Sequence, residues 1–215
     1  MSGCCDPTPY RRFFNRKDAE RDVRAYRRRG LDSMASSMVD FLVSRGVEGA
    51  DVLEVGGGVG AIQVELFKSG VAKSVNVELS AGYEDAARNL AKAEGVEDRV
   101  TRRLGDFVED RDDYEPADIV VMNRVVCCYP WMEKMIDAAV AKTGTYLALS
   151  FPRERWLVKS GFALGNVFIA ASRCDFRAFV HPVAEIEAIA TNAGLVVRHT
   201  DTDFIWKALV LERVS

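Results

Sequence analysis

The stretch Val52–Gly60, with the sequence VLEVGGGVG, decides the fold of this 215-residue chain. Its first four residues are apolar apart from Glu54, which is typical of a buried parallel strand, and a cluster of glycines follows them. Apolar residues spaced from Ile62 to Phe67 then predict a helix. A strand that runs through a glycine turn into a helix lets a ligand approach the backbone, and the free N–H groups at the helix start favour a polar or anionic group.

Two cofactors fit this glycine loop when it is taken alone. Gly56, Gly58 and Ala61 match the G-x-G-x-x-G/A fingerprint of dinucleotide-binding proteins. Glu54 indicates a different ligand, because a carboxylate two places before the first glycine repels a pyrophosphate. The same carboxylate can accept hydrogen bonds from a cationic amino group or from loop amides. The loop by itself therefore fits either a dinucleotide or a ligand with a cationic amino group.

Two further acids follow predicted strands. The segment 74–78 predicts a second strand that ends at Glu78, where a carboxylate suits the ribose diol that NAD and S-adenosylmethionine both carry. The segment 100–104 predicts a third strand, which leads to Asp106 and Phe107. There Asp106 can accept a hydrogen bond from the adenine amino group, while the edge of Phe107 packs beside the purine.

Taken together, Glu54, Glu78 and Asp106 resemble the pattern of class I S-adenosylmethionine-dependent methyltransferases over residues 51–150. The resemblance implies a Rossmann-like α/β fold: a seven-stranded, mostly parallel sheet with a C-terminal antiparallel hairpin and an N-terminal helical cap. It implies S-adenosyl-L-methionine as the cofactor. The residues expected to bind it are Glu54, Gly56, Gly58, Gly60, Glu78, Leu79, Asp106, Phe107 and Asn123. The alternative is that the three acids are ordinary residues at strand ends.

The rest of the chain is compatible with a single methyltransferase domain over residues 1–215. Within it, residues 1–46 are predicted to form the cap, 51–150 the cofactor-binding core, and 151–215 a substrate-side insertion and the closing hairpin. Helices are predicted over 17–29, 32–44, 83–93, 131–141 and 183–192, with strands over 117–122, 146–150, 195–199 and 205–211. The last two strands are predicted to form a hairpin with its turn at 201–203. NAD-binding sheets generally lack the closing hairpin, so its presence favours the methyl donor.

Composition argues against several classes of protein. A net charge of −3 is unlike that of a general nucleic-acid binder, although arginines crowd residues 11–29. No apolar stretch approaches the ~18–20 residues that cross a bilayer, and the N-terminus has no signal-peptide pattern. We expect a cytoplasmic protein without a bound metal, whose five cysteines are reduced thiols because their number is odd and their spacing fits neither a disulfide framework nor a metal site. They are Cys4, Cys5, Cys127, Cys128 and Cys174.

The acceptor should face the end of the fourth predicted strand, because ligands of open α/β sheets bind beyond the carboxyl ends of the strands. The segment 123–130 lies there and has the sequence NRVVCCYP. It lacks the D/N-P-P-Y motif with which DNA and glutamine N-methyltransferases hold the attacking amine. The sequence therefore favours methylation of an oxygen on a small molecule, either hydrophobic or carboxylate-bearing.

Three stretches resemble the magnesium-protoporphyrin O-methyltransferase group more specifically. They are residues 13–15 ahead of an arginine-rich helix, Tyr129 with the proline that follows it, and the segment 179–181. Two positions depart from that group's pattern, since Cys128 stands where the group has histidine and Phe14 where it has tyrosine. Both departures remove polar groups that could assist methylation of a carboxylate, so the acceptor stays open.

Few side chains are candidates for catalysis. His181 precedes a predicted helix near the substrate face and is the candidate general base, with a capping or packing histidine as the alternative. Tyr129 is the candidate for orienting the acceptor, with a core aromatic as the alternative. His199 is predicted to be a surface or edge residue. Arg124 and Arg177 suit a substrate carboxylate, and ordinary salt bridges fit them equally well.

The sequence also fits two other functions, and it leaves two roles for the segment 152–175. An NAD(P)-dependent oxidoreductase would use the same glycines and Glu78, and a non-catalytic adenosyl-binding protein would keep the same fold. The apolar segment 152–175 either lines a hydrophobic substrate pocket or forms a dimer contact, and periodicity does not separate the two.

Overall fold

The computed structural model describes Tyr10 and residues 13–214. The helices are α1 (Arg16–Arg29), α2 (Ser33–Ser44), α3 (Ala61–Lys68), α4 (Glu84–Ala93), α5 (Met132–Lys142), α6 (Trp156–Ala171) and α7 (Val183–Asn192). The strands are β1 (Asp51–Val55), β2 (Lys73–Glu78), β3 (Val100–Leu104), β4 (Ala117–Asn123), β5 (Thr143–Pro152), β6 (Leu195–Thr202) and β7 (Trp206–Arg213). Cys4 and Cys5 and the first two residues of the arginine-rich region lie outside the described residues.

The seven strands form one sheet in the order β3-β2-β1-β4-β5-β7-β6. Strands β1 to β5 are parallel, and β7 pairs antiparallel with both β5 and β6. The predicted mostly parallel sheet with a C-terminal antiparallel hairpin is therefore confirmed. Insertion of β7 between β5 and β6 also distinguishes this sheet from the 3-2-1-4-5-6 order of dinucleotide-binding domains.

The closing hairpin turns later than the sequence pattern predicts. The predicted turn at 201–203 begins inside β6, because Thr202 still pairs with Lys207. The chain reverses over residues 203–205, where Asp203 Oδ1 accepts hydrogen bonds from the N–H groups of Ile205 and Trp206 at 2.7 and 2.6 Å. A side-chain oxygen that binds the backbone two residues later stabilises such a turn.

Helices cover both faces of the sheet, which explains why its central strands are apolar on both sides. Along β4, Ile119 and Val121 pack into the core under α1 to α4, whereas Val120 and Met122 pack into the core under α5 and α7. The covering helices leave the carboxyl ends of β1 to β4 at one edge of the sheet, where the candidate residues follow the strands.

The N-terminal helices form the predicted cap. Asn15 begins α1 with a capping box, in which its side chain accepts from the N–H of Lys17 and Asp18 reaches back to its backbone N–H. Ala19 and Tyr26 are buried against the body of the protein. In the part of the chain that the structure describes, no helix is both long and apolar enough to cross a membrane.

Candidate active site

A cavity of about 750 Å³ opens at the carboxyl ends of β1 to β4, and α1 forms one of its walls. Its volume is within the range of small-molecule and cofactor sites. Eight of the nine predicted cofactor residues line it: Glu54, Gly56, Gly58, Glu78, Leu79, Asp106, Phe107 and Asn123. The ninth, Gly60, does not line the cavity and instead begins α3 as its N-cap. The fold thus brings residues from four separate strand ends to one site.

The glycine loop owes its shape to backbone conformations that side chains disfavour. Gly56, Gly58 and Gly60 have φ angles of 62°, 53° and 80°, in the left-handed region where an L-residue with a Cβ is strained. Gly56 also faces Val125, since a Cβ added there would lie 2.5 Å from Val125 Cγ2. Glycine is therefore strongly favoured at these positions of the loop.

Gly57 lies closest to the buried acid of β1, and sequence reasoning missed it. A Cβ at this position would lie 2.3 Å from Asn76 Nδ2 and 2.7 Å from Glu54 Cδ. The contact is invisible in the sequence because Asn76 belongs to the next strand. The signal that remains in the sequence is that Asn76, a polar residue, stands between two valines in the segment 74–78; the structure buries its side chain completely.

Glu54 is almost fully buried and braces the glycine loop. Its Oε2 accepts a hydrogen bond from Asn76 Nδ2 at 3.1 Å, and the backbone N–H of Gln63 also donates to the carboxylate. Burial raises the pKa of Glu54 to about 8, against the opposing effects of Arg102 and of these hydrogen bonds, with the charge of Glu78 raising it further. The carboxyl group is therefore mostly protonated near neutral pH. A cation placed beside it would favour the ionised form and release the proton.

Glu78 joins two loops at the tip of β2. Its Oε2 accepts from the N–H of Gly58 at 3.0 Å, and its Oε1 accepts from the N–H of Ser80 at 2.9 Å. Burial raises its pKa, while these backbone hydrogen bonds lower it. A carboxylate offers about four lone-pair positions, so Glu78 retains acceptor capacity towards the cavity.

Asp106 presents an acceptor that no described residue uses. Its Oδ1 accepts from the N–H of Val108 at 2.9 Å and so orients the side chain. Its Oδ2 is buried and has no hydrogen-bond partner among the described residues. A buried polar atom left unpaired costs roughly 1–3 kcal/mol, so this oxygen indicates a place for a ligand donor. Phe107 lies beside it, buried against Tyr114.

The tip of β4 is held by a second, partly buried network that sequence reasoning missed. Asp32 caps α2 by accepting from the N–H groups of Met34 and Ala35. The same carboxylate accepts from Asn123 Nδ2 at 3.2 Å and pairs with Arg124 at 3.1 Å. The sequence pattern places Asp32 at the start of the predicted helix 32–44, and it carries no sign of the contact with β4.

Arg124 has an unusual backbone conformation and points its side chain along the cavity wall. Its φ angle of 59° is in the left-handed region, and its N–H donates to Ser150. Its guanidinium lies 4.6 Å from the ring centre of Trp206 and forms the ion pair with Asp32. A strained, non-glycine residue in a cavity wall indicates a site under functional constraint.

The first described residues close over the cavity. Tyr10 donates its hydroxyl to the carbonyl of Cys128 at 2.6 Å, which ties the N-terminal segment to the tip of β4. Ser80 donates its hydroxyl to the carbonyl of Phe14. Phe14 and Tyr26 both line the cavity, and the Tyr26 hydroxyl donates to Glu65 at 2.6 Å on the side of α3.

Tyr129 and His181 are neighbours, but only Tyr129 lines the cavity. The His181 Nε2 atom lies 2.9 Å from the carbonyl oxygen of Tyr129, and its ring stacks on Phe179. Burial lowers the pKa of His181 against the opposing effect of this hydrogen bond, so the imidazole is neutral at pH 7.

The remaining candidates lie away from the cavity. Arg177 donates to the carbonyls of Cys174 and Phe176 and is not among the lining residues. His199 lies 2.8 Å from Ser37 Oγ and stacks on Phe41. Among the described residues, no group of His, Cys, Asp and Glu side chains is arranged to hold a metal ion.

Relatives found by sequence match only part of the chain, and no family model matches it. The ribosomal protein L11 methyltransferase of Enterobacter sp. (strain 638) is 30% identical over 94 residues, which is 44% of this chain and 31% of that protein. The chain thus spans about a third of the length of this relative. Solved structures match over far more of the chain.

Magnesium protoporphyrin IX methyltransferase from Synechocystis PCC 6803, solved with bound SAH, superposes with a TM-score of 0.77. The match covers 97% of this chain and 100% of that one at 21% identity. The chain has the class I methyltransferase fold. An O-methyltransferase family protein from Burkholderia thailandensis superposes with a TM-score of 0.67 over 94% of this chain and 64% of that one, at 20% identity. The resemblance to S-adenosylmethionine-dependent methyltransferases is confirmed.

Within this methyltransferase fold, the three stretches that resemble the protoporphyrin group lie close to the tip of β4: Phe13 and Phe14 line the cavity with Tyr129, and His181 contacts the Tyr129 carbonyl. Tyr10 and the following aromatic residues reach it from the N-terminus, and the N–H of Phe179 donates to the carbonyl of Cys127 at 2.7 Å. Phe13 stacks on Phe176 with ring centres 4.4 Å apart. The contacts join segments far apart in sequence beside the cavity.

Proposed function

We propose that the protein transfers a methyl group from S-adenosylmethionine to an oxygen of a small-molecule acceptor. The observation that supports this most directly is the shared cavity of Glu54, Glu78 and Asp106, in which Asp106 Oδ2 is buried and finds no partner in the described part of the chain. An adenosyl ligand has a donor or an acceptor suited to each acid. Structures of the Synechocystis enzyme, which has the same fold, carry SAH or SAM.

The residues present fit the cofactor. Asp106 would accept from the adenine amino group beside Phe107, and Glu78 would accept from the ribose hydroxyls. Glu54 and the uncovered backbone of the glycine loop would receive the amino-acid end, whose ammonium lowers the cost of ionising a buried carboxyl group. The bound cofactor would supply a methyl group on a positively charged sulfur.

The tip of β4 is then the place for the acceptor. Arg124 supplies a positive charge for a carboxylate or phenolate, held in position by Asp32 and Trp206. Tyr129 supplies an aromatic surface in the cavity wall. Most of the rate acceleration would come from alignment of the acceptor, since effective molarities of oriented groups reach ~10⁵ M or more.

Replacing Asp106 by asparagine is expected to weaken binding of S-adenosylhomocysteine about tenfold to hundredfold, the loss of one charge-assisted hydrogen bond. Asparagine keeps an oxygen that can accept from Val108, so the loop should retain its shape. Isothermal titration measures the change. Asp113→Asn, at an exposed position outside the cavity, is the matched control and should bind normally. Full affinity in the Asp106 variant would refute the adenine contact.

His181→Ala distinguishes two roles for this residue. Because His181 contacts the Tyr129 carbonyl and does not line the cavity, we expect kcat to fall about tenfold or less, through displacement of Tyr129. A loss of ~100-fold or more would identify a general base. His181→Asn retains a donor and should recover part of the activity only if the role is positional. The pH profile of kcat gives a second readout. If His181 is a general base, its replacement should remove the fall in kcat at low pH that protonation of the base causes.

A second acceptor class is a protein, as the name of the matched L11 methyltransferase indicates for that relative. Release of S-adenosylhomocysteine can be followed with a panel of phenols, carboxylic acids and ribosomal proteins in one assay. Turnover confined to ribosomal protein would refute the small-molecule acceptor and leave methyl transfer intact. Tight binding of NADH without binding of S-adenosylhomocysteine would refute methyl transfer itself.

A further inference from the structure

The outer face of α6 is apolar and uncovered. Trp156, Phe168 and Leu164 expose 74%, 68% and 58% of their surface, and Leu157 and Val167 lie beside them. The tip of the closing hairpin extends this surface, because Arg155 stacks on Phe204 and the neighbouring Ile205 is also exposed. We call these seven apolar residues the α6 patch. None of them lines the cavity described above.

The inner face of α6 is already occupied by the protein. Val158 is buried, Phe162 contacts Trp206, and Asn166 exchanges two hydrogen bonds with the backbone of Ala178 at 2.8 and 2.9 Å. The helix is therefore fastened in one orientation. Its apolar outer residues cannot turn inwards without breaking these contacts.

The area of the α6 patch matches the requirement of a dimer. Its seven side chains expose roughly 700–800 Å² together, on the scale of ~150–250 Å² for one whole aromatic side chain. A standard stable interface takes about 800 Å² from each partner, and exposed apolar patches on monomers seldom exceed ~600 Å². The patch is therefore large for a free surface and sufficient for a two-fold interface.

The order of residue sizes along α6 is complementary to itself when reversed. Leu157, Gly161, Leu164 and Phe168 follow one another at spacings of four, three and four residues, along one stripe of the helix. In an antiparallel pair, Leu164 of one helix meets Gly161 of the other, and Leu157 meets Phe168. A Cβ added at Gly161 would contact nothing within 4 Å, so the notch for a leucine is open.

Charge along the helix favours a protein partner over a lipid surface. Lys159 is the one charged residue in the sequence of α6, and it pairs with Glu154 at 2.7 Å. Interfacial membrane helices carry a polar face rich in lysine and arginine, whereas the second face of α6 packs on the protein. One lysine that is already paired with a carboxylate gives the helix little attraction for anionic lipid headgroups.

We propose that the α6 patch is the interface of a symmetric homodimer, in which α6 packs antiparallel against α6 of a second copy with Leu164 seated over Gly161. The interface is isologous, so each residue contributes twice. Dimer formation leaves both cavities intact, since the patch and the cavity share no residue. The proposal does not depend on the methylation activity.

Sedimentation equilibrium of the full chain tests the proposal. The wild type is expected to have twice the 23.8 kDa mass of the chain. Leu164→Asp should weaken dimerisation at least 100-fold, because it places two like charges in an apolar interface. Val43→Asp, at an exposed apolar position on α2, is the matched control and should remain dimeric. A wild type that is monomeric at every concentration, or a Leu164→Asp variant that is still dimeric, would overturn the proposal.

Gly161→Leu distinguishes specific packing of the two helices from non-specific hydrophobic association. The substitution adds apolar surface but fills the notch, so we expect it to weaken the dimer at least tenfold. Stronger self-association, or flotation of a monomeric wild type with phosphatidylglycerol vesicles, would overturn the proposal. Circular dichroism verifies that each variant is folded.

Cysteine cross-linking tests the orientation of the two helices. A mixture of Leu157→Cys and Phe168→Cys chains should form a disulfide between copies faster than either variant alone, with wild type as the baseline for the native thiols. Faster cross-linking of Leu157→Cys to itself would indicate parallel helices and overturn the geometry.

Discussion

Gly57→Ala is expected to lower the free energy of unfolding by about 2–3 kcal/mol and to weaken binding of S-adenosylhomocysteine at least tenfold. The added methyl group would lie 2.3 Å from Asn76 Nδ2 and 2.7 Å from Glu54 Oε2. Both partners are buried and hydrogen-bonded to each other, so neither can retreat without leaving a polar group unpaired. Either the loop or the carboxylate must therefore shift.

Thermal unfolding and isothermal titration measure the two effects of Gly57→Ala separately. Gly165→Ala is the matched control, because Gly165 lies in the interior of α6 and a Cβ there would contact nothing within 4 Å. Alanine in a helix interior should stabilise the protein by about 0.5–1 kcal/mol. If Gly57→Ala has the melting temperature and the ligand affinity of the wild type, the packing of the loop against Glu54 contributes to neither stability nor binding.

Glu54→Gln is expected to abolish the pH dependence of ligand binding between pH 6 and 8. The pKa of Glu54 is about 8 because the carboxyl is buried, so most of it is protonated at pH 7 in the free protein. A ligand ammonium placed beside it lowers that pKa and releases a proton. Wild-type affinity for S-adenosylhomocysteine should thus rise with pH up to about 8, by at most tenfold per unit.

The control ligand for this experiment is 5′-methylthioadenosine, which has the same nucleoside and thioether but no ammonium group. Its affinity should not change with pH in the wild type, and Glu54→Gln should affect it little. At pH 8 the variant should bind S-adenosylhomocysteine at least tenfold more weakly than the wild type does. A pH-dependent wild-type affinity for the control ligand would show that another group titrates.

The same pKa determines how stability without ligand changes with pH. Because the folded-state pKa of Glu54 is raised above 4.5, the folded protein holds a proton that the unfolded chain has lost. Its contribution to stability is complete below about pH 4.5 and is lost as the pH rises through about 8. Glu54→Gln removes this loss, so the variant without ligand should unfold at a higher temperature than the wild type at pH 9.

Strand ends and the positions of most helices were predictable because they depend on neighbours in the chain. The segments 52–55, 74–78 and 100–104 each end at the glycines or acids that the structure brings to the cavity. The turn of the closing hairpin was predicted two residues too early. The reason is that pairing with β7 keeps the polar end of β6 extended, and that pairing is not a local property of the sequence.

Contacts between strand ends could not be predicted from the sequence. Asp32 was predicted only as the first residue of a helix, yet it caps α2 and also holds Asn123 and Arg124 at the tip of β4, about ninety residues later in the chain. His181 reads as a candidate base near the substrate, yet its ring contacts the backbone of Tyr129 and stays outside the cavity lining. Both outcomes depend on how separate elements pack.

The sequence by itself determined the order of strands and helices, the glycine loop and the three acids, because hydrophobic period and backbone strain act over a few residues. The tertiary structure decided which of these groups share a cavity, why Glu54 holds a proton, and which face of α6 is left uncovered. Burial and hydrogen bonding between distant segments create those properties, and no short stretch of the chain contains both partners.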